Sequence, residues 1–167
     1  MDFNAIATKA QTSPFTLWKL NFGLFRFVPF NKPHGIKIKE LTDDSVTSII
    51  PKKKANFNHI KGIHACGLAT CAEFCTGLML LRKLGMKEYR LIMESLDIKF
   101  HYQAKSDVTA FFEVTDEDVK TIKKALETED STYKKCEVKL HDKEGNHIAT
   151  CVTNWQIKDW KKVRTKV

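Results

Sequence analysis

The chain has 167 residues, 43% of them hydrophobic and 29% charged, with 28 Lys and Arg against 20 Asp and Glu for a net charge of +8. These proportions exclude a disordered chain and fit one domain long enough to bury a substantial core. The positive excess implies attraction to an anionic partner (nucleic acid, a membrane surface or a phosphate-bearing small molecule) without choosing among them.

Residues 1–34 read as an N-terminal extension, 35–160 as a single core and 161–167 as a loose basic tail. Met1–Thr12 contains no apolar segment of the signal-peptide kind, and no uninterrupted apolar run reaches the ~18 residues of a membrane span. Pro14–Phe30 predicts an aromatic helix, with Pro14 in the first turn, Thr12 or Ser13 as cap, and Pro29 and Pro33 ending it. Phe15, Trp18, Phe22 and Phe25 form one stripe, flanked by Leu17, Leu24 and Phe27. Helix packing favours docking of such a stripe on a sheet. The competing readings are a membrane-surface anchor or a lid over an apolar substrate, with only Lys19 and Arg26 to supply charge.

Gly35–Leu41 alternates Ile36 and Ile38 with Lys37, Lys39 and Glu40, which predicts a strand with one wet face. Asp43-Asp44-Ser45 turns the chain into a return strand, Val46–Ile50. Lys52-Lys53-Lys54 then leads into a polar loop containing Asn58, His59, Lys61 and Gly62. A lysine run is usually a solvated face, but beside a site it suits phosphate. Ile63–Leu84 predicts a long helix on which Leu68, Cys71, Ala72, Cys75, Leu78, Met79 and Arg82 share one face. The other faces carry Ala, Gly, Thr and Leu, so the helix is expected to be buried. One acid, Glu73, stands among them, and a buried carboxylate requires a partner or a task.

Gly85 terminates that helix. Arg90–Tyr102 reads as a long strand with an irregularity near Ser95, followed by a strand Val108–Thr115 and a charged helical segment, Asp116–Thr128. Lys134–His141, a turn at Asp142–Asn146 and His147–Lys158 complete a hairpin. Five cysteines without a Cys-x-x-Cys pair, three of them (Cys66, Cys71 and Cys75) on the apolar helix, read as packing residues in a reducing, cytoplasmic compartment. Their spacing with His64 fits no common zinc pattern. No helix-turn-helix, zinc-finger or aromatic-basic strand pattern supports nucleic-acid binding. A long apolar helix whose available cover is a run of antiparallel strands predicts an α+β layer: one curved sheet wrapped round one helix, its edges covered by self-association.

Asn58, His64, Ala65 and Glu73 follow the pattern Asn-x5-His-[small]-x7-acid at the loop-to-helix junction, with Ser95 on the next strand. In this motif and in element order from about Gly35 to Ile157, the chain resembles the hotdog-fold acyl-CoA thioesterases of the phenylacetate-pathway type. It is most similar to a related uncharacterised thioesterase-like family that also begins with an aromatic helix. The resemblance implies a homodimer or tetramer hydrolysing an acyl-CoA thioester at the subunit interface, with no metal and no cofactor beyond the coenzyme A of the substrate. It implies that the Ala65 amide polarises the carbonyl, and that Glu73 of the opposite subunit activates water or attacks as nucleophile. Asn58 would orient the thioester or water, Ser95 would hydrogen-bond the water, and His64 would shape the loop. His59, Gly62, Lys61, Lys52, Lys53 and Lys54 would bind the substrate, with the four lysines near the mouth holding the phosphates of coenzyme A. Ala65 stands where glycine is common in that family. Two alternatives remain. One is a hydroxyacyl-thioester dehydratase using His59 and Glu73, although the Pro-Gly that opens the helix in those enzymes is replaced here by Ala65-Cys66-Gly67. The other is a non-catalytic acyl-CoA-binding module.

Overall fold

The computed structural model describes residues 3–164. Two helices open it, α1 (Phe3–Ala10) and α2 (Pro14–Phe27), then a single turn, α3 (Asn31–His34). The strands β1 (Lys37–Leu41) and β2 (Ser45–Ile50) precede the long helix α4 (Ala65–Leu84), and β3 (Tyr89–Phe100) and β4 (Val108–Glu113) follow it. Helix α5 (Asp116–Thr128) and the hairpin β5 (Thr132–Asp142) and β6 (His147–Asp159) complete the chain. The six strands form one antiparallel sheet in the order β1-β2-β4-β5-β6-β3. This sheet wraps α4, which packs on β2, β4, β3, β6 and β5. The expected α+β hotdog architecture is the one observed.

Amphipathic periodicity explains the wrap. Leu68, Cys71, Ala72, Cys75, Leu78, Met79 and Arg82 are all buried, as their shared face predicts. At this face Ser48 Oγ donates to the Cys71 carbonyl (3.0 Å), and the Cys75 thiol lies 3.2 Å from the Ala110 carbonyl. On another side, Trp155 Nε1 donates to Thr76 Oγ1 (3.0 Å), and its ring lies where a side chain on Gly77 would project. A Cβ on Gly77 would stand 2.8 and 2.9 Å from two Trp155 ring carbons, so the close approach of helix and strand requires glycine there. At the far end Gly85, at φ 98°, donates to the Leu81 carbonyl and closes the helix. With 20 residues, α4 is long and apolar enough to cross a bilayer, but the sheet takes up most of its surface.

Three expectations are corrected. The first concerns α1, which the sequence did not signal: Ala7 and Ala10 are buried against the core, and small alanines carry little amphipathic signature. The second concerns α2, which ends at Phe27, and Pro33, which lies inside the separate turn α3 rather than terminating α2. The third concerns orientation, because α2 docks by its aliphatic side. Leu20, Asn21 and Leu24 are buried, whereas Phe15, Trp18 and Phe22 face outward. Asn21 decides this: its Nδ2 donates to the Ile38 carbonyl (2.9 Å) and its Oδ1 accepts from the Ile38 N–H (2.8 Å). That pairing occupies backbone groups of the edge strand β1, which would otherwise be open to another chain.

The remaining elements follow local chemistry. Thr115 and Asp118 form a reciprocal capping box that starts α5, and Ile122 and Leu126 are buried beneath it. Asp142 accepts the Glu144 and Asn146 amides and shapes the last hairpin turn. The irregularity expected near Ser95 is a register shift between Met93 and Ser95. The basic tail begins as a short 3-10 turn, Trp160–Lys162, and residues 165–167 of it lie outside the described residues.

Candidate functional site

The loop before α4 is organised by Asn58. Its Oδ1 accepts the backbone N–H groups of Ile60 (3.1 Å) and Gly62 (2.9 Å), and its own N–H donates to the Gly62 carbonyl (2.9 Å). These bonds fold four residues into a tight turn and hold Lys61 at φ 62°, a left-handed conformation that a lysine reaches only when its surroundings impose it. A Cβ on Gly62 would crowd Gln103 and the Ala104 carbonyl at 3.1–3.3 Å, so this position lets the loop lie against the segment after β3. The Ile63 N–H donates to the Ala104 carbonyl (3.0 Å), tying the two segments together.

Between them opens a cleft of ≈ 350 Å³. Asn58, Ile60, Ile63, Ala65 and Leu68 line one wall; Phe100, His101, Tyr102, Gln103 and Ala104 line the other. The N-terminus of α4 points into this space. His64 is the N-cap: its Nδ1 accepts the Cys66 N–H (3.1 Å), and its carbonyl takes those of Gly67 and Leu68. One donor of the first turn is left over. The Ala65 N–H has no acceptor among the described residues, and Ala65 is exposed on the cleft wall. A free N–H at the positive end of a 20-residue helix dipole suits an oxygen that gains negative charge.

Glu73 lies two turns further along. Cys66, Ala69, Thr70 and Glu73 recur at helical spacing and form a stripe of α4 that the sheet does not bury completely, so the expectation of burial on every face is corrected along this stripe. Cys66, read as buried, is exposed. The Glu73 carboxylate has no hydrogen-bond or ion-pair partner among the described residues, and desolvation raises its pKa above the ordinary 4.5. Ala65 and Glu73 are eight residues apart, about 12 Å along the helix axis, so one chain cannot bring both to the same reacting carbon. The stripe containing Glu73 is incompletely covered, and the edge strand β3 exposes Ile92, Met93 and Phe100.

The other sequence candidates are dispersed. His59 and Lys61 are exposed on the loop but do not line the cleft, and neither do Lys52, Lys53 and Lys54. The Lys52 N–H is held by Asp107 Oδ1 (2.7 Å), while the Lys53 ammonium lies against Gly35. Ser95 stands opposite Asn154, between Trp155 and Thr153 in register, and both of these bond toward α4. By alternation Ser95 therefore belongs to the sheet face turned away from α4, and it is not part of the cleft. Sequence reasoning missed Asn56, which is buried. Its Nδ2 donates to the His34 and Pro51 carbonyls (both 2.8 Å), and its own carbonyl accepts the His64 N–H (2.8 Å), fixing where α4 begins. It also missed Phe100–Ala104, a wall with no motif of its own. Burial pushes the Cys71 thiol up to about 12 and the Cys75 thiol to about 11, which leaves both as packing groups rather than nucleophiles.

The DUF4442 family model, a domain of unknown function, matches residues 17–157. No curated protein matches the chain in sequence. Among solved structures, a Pseudomonas aeruginosa protein of unknown function described as a probable thioesterase is similar with a TM-score of 0.76 at 21% identity, over 81% of this chain and 90% of that one. A Staphylococcus aureus thioesterase carrying a Gln-to-Ala substitution is similar at 0.63 and 13% identity, over 78% and 98%. A Haemophilus influenzae thioesterase is similar at 0.63 and 11%, over 78% and 82%. At these identities the likeness establishes the shared fold.

Proposed function

This chain belongs to the DUF4442 family, and we propose that it is an acyl-CoA thioesterase whose two active sites are each shared between two copies of the chain. The observation that carries the reading is the Ala65 N–H on the cleft wall, on the same helix as a desolvated Glu73, neither group having a partner among the described residues. A thioester carbonyl placed in the cleft would accept the Ala65 N–H, and the helix dipole would favour the tetrahedral oxyanion that follows. The partner subunit's Glu73 would take a proton from water as the water oxygen attacks the thioester carbon. Collapse breaks the carbon–sulfur bond, the acid leaves, and the proton passes from Glu73 to the departing thiolate. A carboxyl with a raised pKa is a better match to that second transfer than an ordinary one.

Asn58 uses its Oδ1 to hold the loop, leaving its Nδ2 as the group able to orient substrate or water. His64 acts by capping the helix, and Ser95 is given no step. The acyl group would lie along Ile60, Ile63, Leu68 and Phe100. The basic loop residues Lys52, Lys53, Lys54 and Lys61 would attract the coenzyme A phosphates through their field rather than from the cleft wall. The dehydratase reading assigns the imidazole to His59, which does not line the cleft; the imidazole that does is His101, whose Nε2 lies 3.0 Å from Thr150 Oγ1.

The test is thiol release from acyl-CoAs of graded length and an aryl-CoA by the wild type and Glu73→Gln. We expect turnover in the wild type and a loss of two or more orders of magnitude in kcat in the variant, in line with removal of a general base. Equal turnover by both would refute the role of Glu73, and hydration of an enoyl-CoA without thiol release would replace the hydrolase by a hydratase.

A further inference from the structure

The face that α2 turns outward is an aromatic surface without cover. Phe15, Trp18, Phe22 and Phe27 are 63%, 62%, 59% and 68% exposed, and Phe30, just after the helix, is 61% exposed. Phe15 stacks on Trp18 (centroids 6.1 Å apart) and Trp18 on Phe22 (6.0 Å), making one continuous apolar ridge. Exposed apolar patches of this size mark interaction surfaces. The ridge is also rigidly mounted, because Leu20 and Leu24 are buried beneath it and Asn21 fastens the helix to β1.

Charge identifies the occupant. Residues 3–38 contain Lys9, Lys19, Arg26, Lys32 and Lys37 and no acidic residue, and the next cation, Lys39, is paired with Glu40 (3.7 Å). Lys19 and Arg26 adjoin the ridge on the helix, and Lys19 Nζ lies 4.4 Å over the Phe15 ring. Asp43 reaches the end of α1 through Gln11, but it is paired with Arg82. A second copy of this surface would bring like charges together. An anionic bilayer offers what the ridge lacks: a headgroup layer for the cations and an acyl boundary for the rings, with an indole at the interface where its N–H stays wet. The ridge is fixed to β1, at the opposite end of the sheet from β3, so pairing of two copies along β3 leaves it free.

We propose that α2 docks this protein on anionic membrane surfaces, laying Phe15, Trp18 and Phe22 into the headgroup–acyl boundary with Lys19 and Arg26 on anionic headgroups. The inference stands apart from the thioesterase reading, and its test uses no turnover. Full-length protein would be sedimented with vesicles of phosphatidylcholine alone and of phosphatidylcholine with phosphatidylglycerol, while Trp emission is followed. The expected result is binding roughly tenfold or more stronger to the anionic vesicles, reduced by salt and accompanied by a blue shift. It should be abolished in Phe15→Ser/Trp18→Ser/Phe22→Ser and weakened in Lys19→Glu/Arg26→Glu, whose side chains are outside the fold's core. Unchanged thermal midpoints would confirm that both variants remain folded. No vesicle binding by the wild type, or equal binding by the triple variant, would overturn the proposal. Self-association that the triple variant abolishes, without vesicle binding, would make the ridge an interface between copies instead.

Discussion

Ala65 and Glu73 can be probed with side chains that leave the fold in place. Proline is well tolerated at the first position of a helix, and the preceding His64 already has the extended ψ of 142° that a following proline demands. Ala65→Pro should therefore keep the thermal midpoint within a few degrees while deleting the N–H. We expect kcat/KM for an acyl-CoA to fall about 10²–10³-fold, the usual cost of one oxyanion donor; full activity would show that this N–H does not contact the carbonyl. Glu73 makes a prediction on stability as well. Its folded-state pKa is raised from 4.5 by desolvation, so below that value the acid is neutral in both states and costs nothing. As pH rises the unfolded chain ionises first, and folding is progressively penalised. Glu73→Gln should thus be more stable than wild type at neutral pH, with the difference shrinking as pH falls toward 4.5. Thermal melts across that range check it, and a pH-independent difference would contradict it. Both residues stood out in the sequence as candidates, because a lone acid on an apolar helix and a small residue after His at a loop-to-helix junction are unusual. Ser95 lies outside the cleft, at a bulge that breaks the simple two-residue alternation of side chains and hides from the sequence which face it takes.

Periodicity made the strands and α4 readable at the level of elements, since each buries one face against one neighbour. It failed for α2, where both faces are apolar: Leu17, Leu20 and Leu24 on one, Phe15, Trp18 and Phe22 on the other. Aromatic content suggested the wrong face for the core, and the deciding residue was Asn21, a polar side chain whose value lies in its bonds to β1. Packing at Gly77 gives a prediction that runs against helix propensity. Alanine is about 1 kcal/mol better than glycine within a helix, yet a Cβ there would meet the Trp155 ring at 2.8 Å. The ring is held by Thr76 and Thr153 and cannot easily retreat. Overpacking of this kind costs roughly 1–3 kcal/mol, so Gly77→Ala should lower the thermal midpoint; a rise would show that the Trp155 side of the core yields.

At the level of the whole molecule, the features of the proposed reaction do not close within one chain. The Ala65 cleft and the Glu73 stripe lie at different heights on α4, and β3 offers an unpaired edge with Ile92, Met93 and Phe100 exposed along it. The sequence hinted at this through a sheet that needed cover, but the cleft wall Phe100–Ala104 was invisible to it, because its role comes from where the chain passes and not from a motif. Two variants tested together address the central claim most directly. Ala65→Pro keeps its Glu73 and Glu73→Gln keeps its Ala65, so each alone should be nearly inactive in thiol release. If every site combines Ala65 of one copy with Glu73 of the other, unfolding and refolding the two in equal amounts makes half the dimers mixed, each with one intact site. The mixture should then recover about a quarter of wild-type activity, as random pairing of a two-fold dimer requires. Activity no higher than the mean of the separate variants would contradict a site shared between chains.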